Sequence, residues 1–319
     1  MNRLRTALAG LIFPLALFAT AQTVRSPQTP TPPSQAAPDR PLPDTNTLMR
    51  QVEARERIAD KIHKSYIYRE SRQMENFDSH DAVKKTETEE SEIFWLSGVR
   101  VERLLKKDGK PLSADEQKKE NERIDKDVAK VQERHEKNEA EGKDPHRNND
   151  DITFARVLEL GAFSNPRRQT VNGRDTILVD YTGDPKAKTH NIAEGIFREL
   201  AGTVWIDEQD HVIQHVEGHF MNDFKVGGGL VASVRKGTWF KFTTAKVNDE
   251  VWFPQDMEGS GHARYLLFFA LNGHLHVTDR DFRKFKATST LLPNVTPVDP
   301  NATPAPPSPP PPPFPQPIP

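Results

Sequence analysis

Residues 201–220 read AGTVWIDEQDHVIQHVEGHF, and this stretch decides the fold. Its first part is rich in β-branched and aromatic residues, residues 208–210 supply a polar turn, and its second part has apolar residues at alternate positions. Period-two patterning on both sides of a short polar turn is typical of an antiparallel β-hairpin. The chain continues in the same style after residue 220, so we expect the hairpin to lie within a large antiparallel sheet.

The first 21 residues have the pattern of a secretory signal peptide. Two arginines precede a short apolar run, which is interrupted by Pro14 and ends in Ala19-Thr20-Ala21. A helix that spans a bilayer needs about 20 apolar residues, more than this run offers. The sequence therefore predicts a signal peptide that is cleaved after Ala21 and a periplasmic protein.

Composition excludes several classes of function. The 319 residues contain no cysteine, which rules out disulfides, thiolate metal ligands, cysteine nucleophiles and a lipid-modified cysteine. The formal net charge is −2, and loss of the signal peptide would remove two more arginines. Nothing in this balance favours nucleic acid as a partner. We expect a monomer without a cofactor.

Two proline-rich segments flank the region that can fold. Residues 22–44 are rich in Pro, Gln, Ser and Thr, and residues 294–319 end in a run of prolines. Such segments bury little apolar surface, so a disordered linker and a disordered tail are predicted. One domain is then expected over residues 45–293.

Local signals divide this domain into helices and strands. A helix capped by Thr45 or Thr47 precedes a strand over residues 65–75. One or two further strands are expected over residues 87–105, with their charged alternates facing solvent and one common face formed by Ile93, Trp95, Val99 and Val101. Ser113 and Glu116 form a capping box before a highly charged helix that reaches about residue 140, and its one apolar stripe consists of Ile124, Val128 and Val131. Residues 113–149 are read as an inserted charged helix and loop lying across the sheet edge. Asn-Gly pairs at 172–173 and 272–273 each predict a hairpin turn.

These signals predict an α+β fold with one large, curved antiparallel sheet. About nine to eleven strands are expected, arranged as an open half-barrel with helices over its concave face. No βαβ rhythm and no internal repeat is present.

Three sequence segments resemble the LolA/LolB/LppX-like superfamily of periplasmic proteins. They are Gly202-Thr-Val-Trp-Ile-Asp207, His215-Val-Glu-Gly218 and Val251-Trp-Phe-Pro254, which follow an N-terminal helix that leads into a strand meander. The resemblance covers roughly residues 48–291 and implies an open half-barrel that binds lipid or lipoprotein acyl chains between sheet and helices. The charged helix is an insertion relative to the simple family pattern.

Histidines and acids offer alternative chemistry. His211, His215 and His219 share strand parity, but residues four apart in a strand are separated by about 13 Å, too far for one metal ion. Asp207, Asp210 or Glu217 could act in acid–base chemistry, although an aspartate at a strand end commonly serves the turn itself. No nucleophile elbow or phosphate loop is present, so neither a catalytic residue nor a metal ligand is assigned.

The apolar strand residues favour a hydrophobic ligand in the concave face. One face of the sheet is expected to carry Val204, Ile206, Val212, Val216 and Phe220. Seven are predicted to line it, namely Trp205, Ile206, Val216, Phe220, Trp239, Trp252 and Phe268. The alternative use of such residues is packing against the helices, and both uses are compatible in one protein. The leading hypothesis is a non-enzymatic periplasmic protein that binds or carries a lipid or acyl chain. An envelope interaction protein without a ligand, which would contact a partner protein through the charged helix and tail, is the second hypothesis. A metal-dependent hydrolase is the third.

Overall fold

The computed structural model describes residues 40–96, 99–142, 154–265 and 269–285. All of them belong to one compact unit, residues 1–285. The predicted signal peptide, residues 22–39 of the predicted linker, the predicted loop at 143–149 and the predicted tail lie outside the described residues.

The described residues form four α-helices and thirteen strands. The helices are α1 (Thr45–His63), α2 (Ala114–Ala140), α3 (Phe154–Leu160) and α4 (Ile192–Phe197). The strands are β1 (Tyr66–Phe77), β2 (Val83–Leu96), β3 (Val99–Lys107), β4 (Lys110–Pro111), β5 (Gly161–Val171), β6 (Arg174–Gly183), β7 (Leu200–Asp207), β8 (Val212–Phe220), β9 (Phe224–Val226), β10 (Ala232–Val234), β11 (Trp239–Val247), β12 (Val251–Tyr265) and β13 (Phe269–Lys284).

The strands form one open, curved antiparallel sheet in the order β4-β3-β2-β1-β13-β12-β11-β8-β7-β6-β5. The short strands β9 and β10 pair with each other, and β10 extends the sheet beside the end of β12. The predicted α+β class with a large open antiparallel sheet is confirmed, and the strand number exceeds the predicted range. The hairpin predicted from residues 201–220 consists of β7 and β8, which lie between β11 and β6 in the sheet.

Helix α1 defines the inner face of the sheet, because its apolar stripe packs there. Leu48, Met49 and Val52 pack on Ile177, Val179 and Ile206 from β6 and β7. Its far end reaches β12, where His63 Nε2 donates to the carbonyl oxygen of Trp252 at 2.8 Å. The helix begins at the N-cap Asp44, which accepts from the amide of Thr47, and not at the predicted Thr45 or Thr47. Side chains on the other side of the sheet are said to lie on the outer face.

Helix α2 packs on the outer face of β3 at the sheet edge. The capping box of Ser113 and Glu116 is confirmed, and so is the apolar stripe, whose members Ile124 and Val128 contact Val99 and Val101. The expected common face of Ile93, Trp95, Val99 and Val101 is wrong. Val101 pairs with Phe94, while Ile93 pairs with Glu102, so the two valines face outward and the alternates of β3 face inward.

The hairpin predicted at Asn172-Gly173 is confirmed. Both residues have positive φ, as a type I′ turn requires. The turn predicted at Asn272-Gly273 is wrong, because both residues lie within β13 and pair with β12. A Cβ at Gly273 would overlap the carbonyl of Glu75 on β1. This glycine therefore serves the close approach of two strands in a curved sheet. Residues 266–268, between β12 and β13, lie outside the described residues.

No helix among the described residues has both the length and the apolarity that crossing a membrane requires.

Candidate functional site: the inner face of the sheet

A row of directly paired residues crosses the inner face. Residues paired across an antiparallel ladder project to the same side of the sheet. Each residue of the row pairs with the next one on the neighbouring strand: Val204 (β7), Val216 (β8), Phe242 (β11), Met257 (β12), Val277 (β13) and Arg72 (β1). Val204 packs beside the apolar cluster under α1, which places the whole row on the inner face. We call these six residues the cross-sheet row.

The middle of this row is not fully covered. Val277 is buried, whereas Val216, Phe242 and Met257 remain partly exposed. Phe242 and Met257 belong to none of the core clusters that the described residues form. The helices thus cover the two ends of the inner face better than its centre. An incompletely covered apolar strip on a concave sheet face is a surface suited to an apolar ligand.

The row ends at a buried cluster of charged side chains, which sequence reasoning missed. We call Glu70, Arg72, Arg100, Glu102 and Asp279 the charged cluster. Glu70 accepts from Arg72 Nη2 at 2.5 Å and from Arg100 Nη2 at 3.3 Å. Arg72 Nη1 also reaches Glu102 Oε1 at 3.5 Å. Two arginines and two glutamates therefore neutralise one another away from water.

Local sequence explains how side chains of β1 and β3 meet across the strand between them. Ser91 of β2 pairs with Glu70 and is itself buried. Its short side chain leaves room above β2, and its hydroxyl donates to Glu102 Oε1 at 3.3 Å. Two sequence patterns could have indicated this cluster, namely Glu70-Ser-Arg72 and Arg100-Val-Glu102. In each pattern, opposite charges two residues apart project to the same face of a strand.

Asp279 is the most unusual member of the charged cluster. It is only 7% exposed, it pairs directly with Glu70 across β13 and β1, and its Oδ1 atom has no hydrogen-bond partner among the described residues. Burial raises the pKa of Asp279 well above its usual value, and the negative charge of Glu70 raises it further. Both causes favour the protonated, uncharged carboxyl.

Several N–H groups of the two arginines also lack a hydrogen-bond acceptor. Arg72 Nε and Arg100 Nε and Nη1 are buried without an acceptor among the described residues. Burial lowers the pKa of both arginines. Glu70 is the main group that raises the pKa of Arg72, and Tyr68, which also forms a hydrogen bond with Arg100, is the main group that raises the pKa of Arg100, so the net shift is upward for both. The guanidinium groups therefore stay charged, and their enclosed N–H groups can only donate.

The seven residues predicted to line the cavity divide between the two faces. Ile206 and Phe220 lie fully buried on the inner face in core clusters, and Val216 belongs to the cross-sheet row. The three tryptophans lie on the outer face. The ring centroids of Trp205 and His215 are 4.8 Å apart in an edge-to-face contact, and Lys241 Nζ lies 5.9 Å from the ring centroid of Trp239. Trp252 Nε1 donates to Asp210. Phe268 lies outside the described residues. The structure thus places three of the seven on the inner face.

A bulge in β8 explains another departure from the predicted pattern. The register shifts between Trp205 and Ile206, so that Val212 pairs with Asp207 on the outer side. The predicted common face of Val212 and Val216 is therefore wrong.

The strand histidines lie on the outer face as partners of carboxylates or hydroxyls. His215 contacts Thr243 Oγ1 and Glu217, and His276 contacts Asp256 at 2.9 Å. His211 lies in the turn before β8 with positive φ, away from the strand row. Within the described ranges, no three His, Asp or Glu side chains are arranged to hold a metal ion.

Asp207 serves the turn, as its position at a strand end predicts. It is fully buried, and its Oδ1 accepts from the amides of Gln209 and Asp210 at 3.0 and 2.7 Å. Arg174 binds both of its oxygens. These bonds occupy the carboxylate in a structural role.

Comparisons with solved structures find likenesses of fold. A putative outer membrane lipoprotein-sorting protein domain from Vibrio parahaemolyticus aligns over 75% of this chain and 94% of its own, with 10% identity and a TM-score of 0.32. A DUF1329 family protein from Desulfovibrio piger ATCC 29098 aligns over 75% of this chain and 95% of its own, with 10% identity and a TM-score of 0.24. No protein-family model and no curated protein matches the chain.

Proposed function

We propose that the protein binds a hydrophobic ligand, such as a lipid acyl chain, along the cross-sheet row, and that it does so in the periplasm without catalysing a reaction. The observation that carries this proposal is the partly exposed centre of the row, Val216, Phe242 and Met257. Apolar side chains on a concave face lose water when an apolar chain covers them, which favours binding by about 25 cal/mol per Å².

The test begins with the mature protein purified from its own cell envelope. Native mass spectrometry followed by lipid extraction is expected to detect a bound acyl lipid. The Phe242→Arg variant places a charge in the strip and is expected to lose the lipid. The matched control is Thr243→Arg, because the next residue of β11 is exposed on the outer face. Circular dichroism checks that both variants fold.

Two results would contradict the proposal. A lipid-free wild-type protein that also fails to take up added acyl lipid would move the function to an interaction protein of the envelope. Equal lipid content in Phe242→Arg and Thr243→Arg would place the ligand elsewhere.

A further inference from the structure

The charged cluster is placed to contact one end of a ligand that lies along the cross-sheet row. Arg72 is itself the last residue of the row, and Asp279 is the next inward-facing residue of β13 after Val277. Neighbouring strands are about 4.8 Å apart, so the four steps from Val216 to Arg72 span about 19 Å. An extended acyl chain in this position would bring its polar end to the cluster.

Most polar atoms of the charged cluster that lack a partner are hydrogen-bond donors. Three of them, Arg72 Nε, Arg100 Nε and Arg100 Nη1, carry hydrogens and can only donate. Asp279 carries a hydrogen as well when its carboxyl is protonated, and more than nine-tenths of this residue is buried. A buried donor without an acceptor is costly. A group that fits here must therefore supply acceptor oxygens.

The charge balance of the charged cluster favours an uncharged acceptor over an anionic one. Glu70 and Glu102 already neutralise Arg72 and Arg100, and Glu89 adds a further carboxylate 3.8 Å from Arg72. An anionic ligand would leave excess negative charge in a site screened from water, which is unfavourable. Carbonyl oxygens of an ester or an amide accept hydrogen bonds without adding charge.

We propose that the charged cluster binds the uncharged carbonyl oxygens of an acyl ester or amide, with Arg72, Arg100 and Asp279 as the donors. This inference rests on the proposed function, since the acyl chain must lie along the cross-sheet row. It selects esterified or amide-linked acyl groups over free fatty acids. Arg72 and Arg100 are the residues that determine this specificity.

The experiment compares three probes of equal chain length, namely a fatty acid methyl ester, the free fatty acid and the plain alkane. Affinities are measured by displacement of an environment-sensitive fluorescent alkyl probe from the full mature protein. The wild type is expected to bind the ester at least about tenfold more tightly than the alkane, as one hydrogen bond from a charged donor allows. It is also expected to prefer the ester to the free acid.

The variant Arg100→Lys isolates the contribution of the donors. A lysine keeps the positive charge beside Glu70 but lacks the guanidinium fork that supplies Nε and Nη1. The variant is expected to bind the alkane as the wild type does and to lose most of the preference for the ester. Arg103→Lys is the control, because the adjacent arginine of β3 lies over the ring of Phe94 on the outer face.

The outcomes separate the two proposals. If the wild type binds none of the probes, the proposed function itself fails. If it binds ester and alkane equally, the row holds a chain but ordered water satisfies the donors, and the specificity proposal is overturned. A preference for the free acid, or an unchanged ester preference in a folded Arg100→Lys, would overturn it as well. Should Arg100→Lys fail to fold, Arg72→Lys gives the same test.

Discussion

Asp279 on β13 lies directly opposite Glu70 on β1, so two carboxyl groups share one position of the buried inner face. Like charges placed directly across an antiparallel pair repel each other, and burial removes the water that would weaken the repulsion. Protonation of one carboxyl relieves the conflict. Burial and the negative charge of Glu70 raise the pKa of Asp279, so we expect this carboxyl to hold the proton.

Asp279→Asn tests this arrangement through the pH dependence of stability. A carboxyl with a raised pKa in the folded state stabilises fully below its unfolded pKa, and that contribution is lost as pH rises through its folded pKa. Asparagine cannot ionise. The variant is therefore expected to gain stability relative to the wild type as pH rises from about 4 to about 8, as measured by urea unfolding. The control is Asp281→Asn, an exposed neighbour on the same strand. A difference from wild type that stays constant over this pH range would show that the proton is held elsewhere.

Two side chains of α2 bind backbone groups of β3 along the part of its edge that β4 leaves unpaired. Glu120 Oε1 accepts from the amide of Leu104 at 2.8 Å, and Arg123 Nη2 donates to the carbonyl of Glu102 at 2.6 Å. Exposed edge strands otherwise offer unpaired backbone groups to other chains. The charged helix thus stabilises the sheet where it ends.

Glu120→Leu is expected to lower the free energy of unfolding by about 1–3 kcal/mol, because it leaves a buried amide without an acceptor. Glu120→Gln retains an acceptor oxygen and should cost less. Glu122→Leu, on the exposed side of α2, is the control for the change in helix composition. Urea denaturation measures all three, and equal effects of the leucine variants would contradict the role of Glu120.

Much of the fold follows from the sequence because its signals are local. Hairpin patterning, the Asn172-Gly173 turn and the Ser113 capping box are each determined within a few residues. The turn prediction at Asn272-Gly273 was wrong for a long-range reason. Gly273 is needed because the backbone of Glu75, on another strand, approaches it closely.

The candidate site was harder to predict, because it depends on register. Arg72 and Val277 are more than 200 residues apart, and only the pairing of β1 with β13 makes them neighbours. Likewise, the outward position of Trp205 depends on pairing with His215 rather than on hydrophobicity. Charged residues at alternate strand positions usually face solvent, so the inward direction of Glu70 and Arg100 contradicts the usual pattern.

The start of α4 should be sensitive to acid. Glu194 accepts from Arg156 Nη2 at 2.8 Å and from the amide of His190 at 2.7 Å. The hydrogen bond from Arg156 is the main cause that lowers the pKa of Glu194 to about 2, against the opposing effect of burial. A lowered pKa stabilises the fold above the unfolded value of 4.5, and this contribution is lost as pH falls through about 2.

Glu194→Gln is expected to lower the stability at neutral pH by about 2 kcal/mol and to flatten its fall between about pH 4.5 and pH 2. The control is Glu159→Gln, because Glu159 pairs with the same arginine but is mostly exposed. Urea midpoints at neutral and acid pH give the comparison. If both variants keep the acid sensitivity of the wild type, that sensitivity arises elsewhere.

Gly218 and Phe240 form a contact that tests the packing of the inner face. They are paired in register on β8 and β11, and a Cβ at Gly218 would overlap the ring of Phe240, which is 3% exposed. Gly218→Ala is expected to cost about 1–3 kcal/mol, the usual range for overpacking a core. Phe240→Leu removes the ring and should cost about 1 kcal/mol in lost packing. Because the smaller side chain makes room for the added methyl, the double variant should lose less stability than the two single losses together. Glu217→Ala, at the neighbouring outward-facing position, should not couple to Phe240→Leu. Simple additivity in the first pair would mean that the strain at Gly218 comes from the backbone and not from the ring.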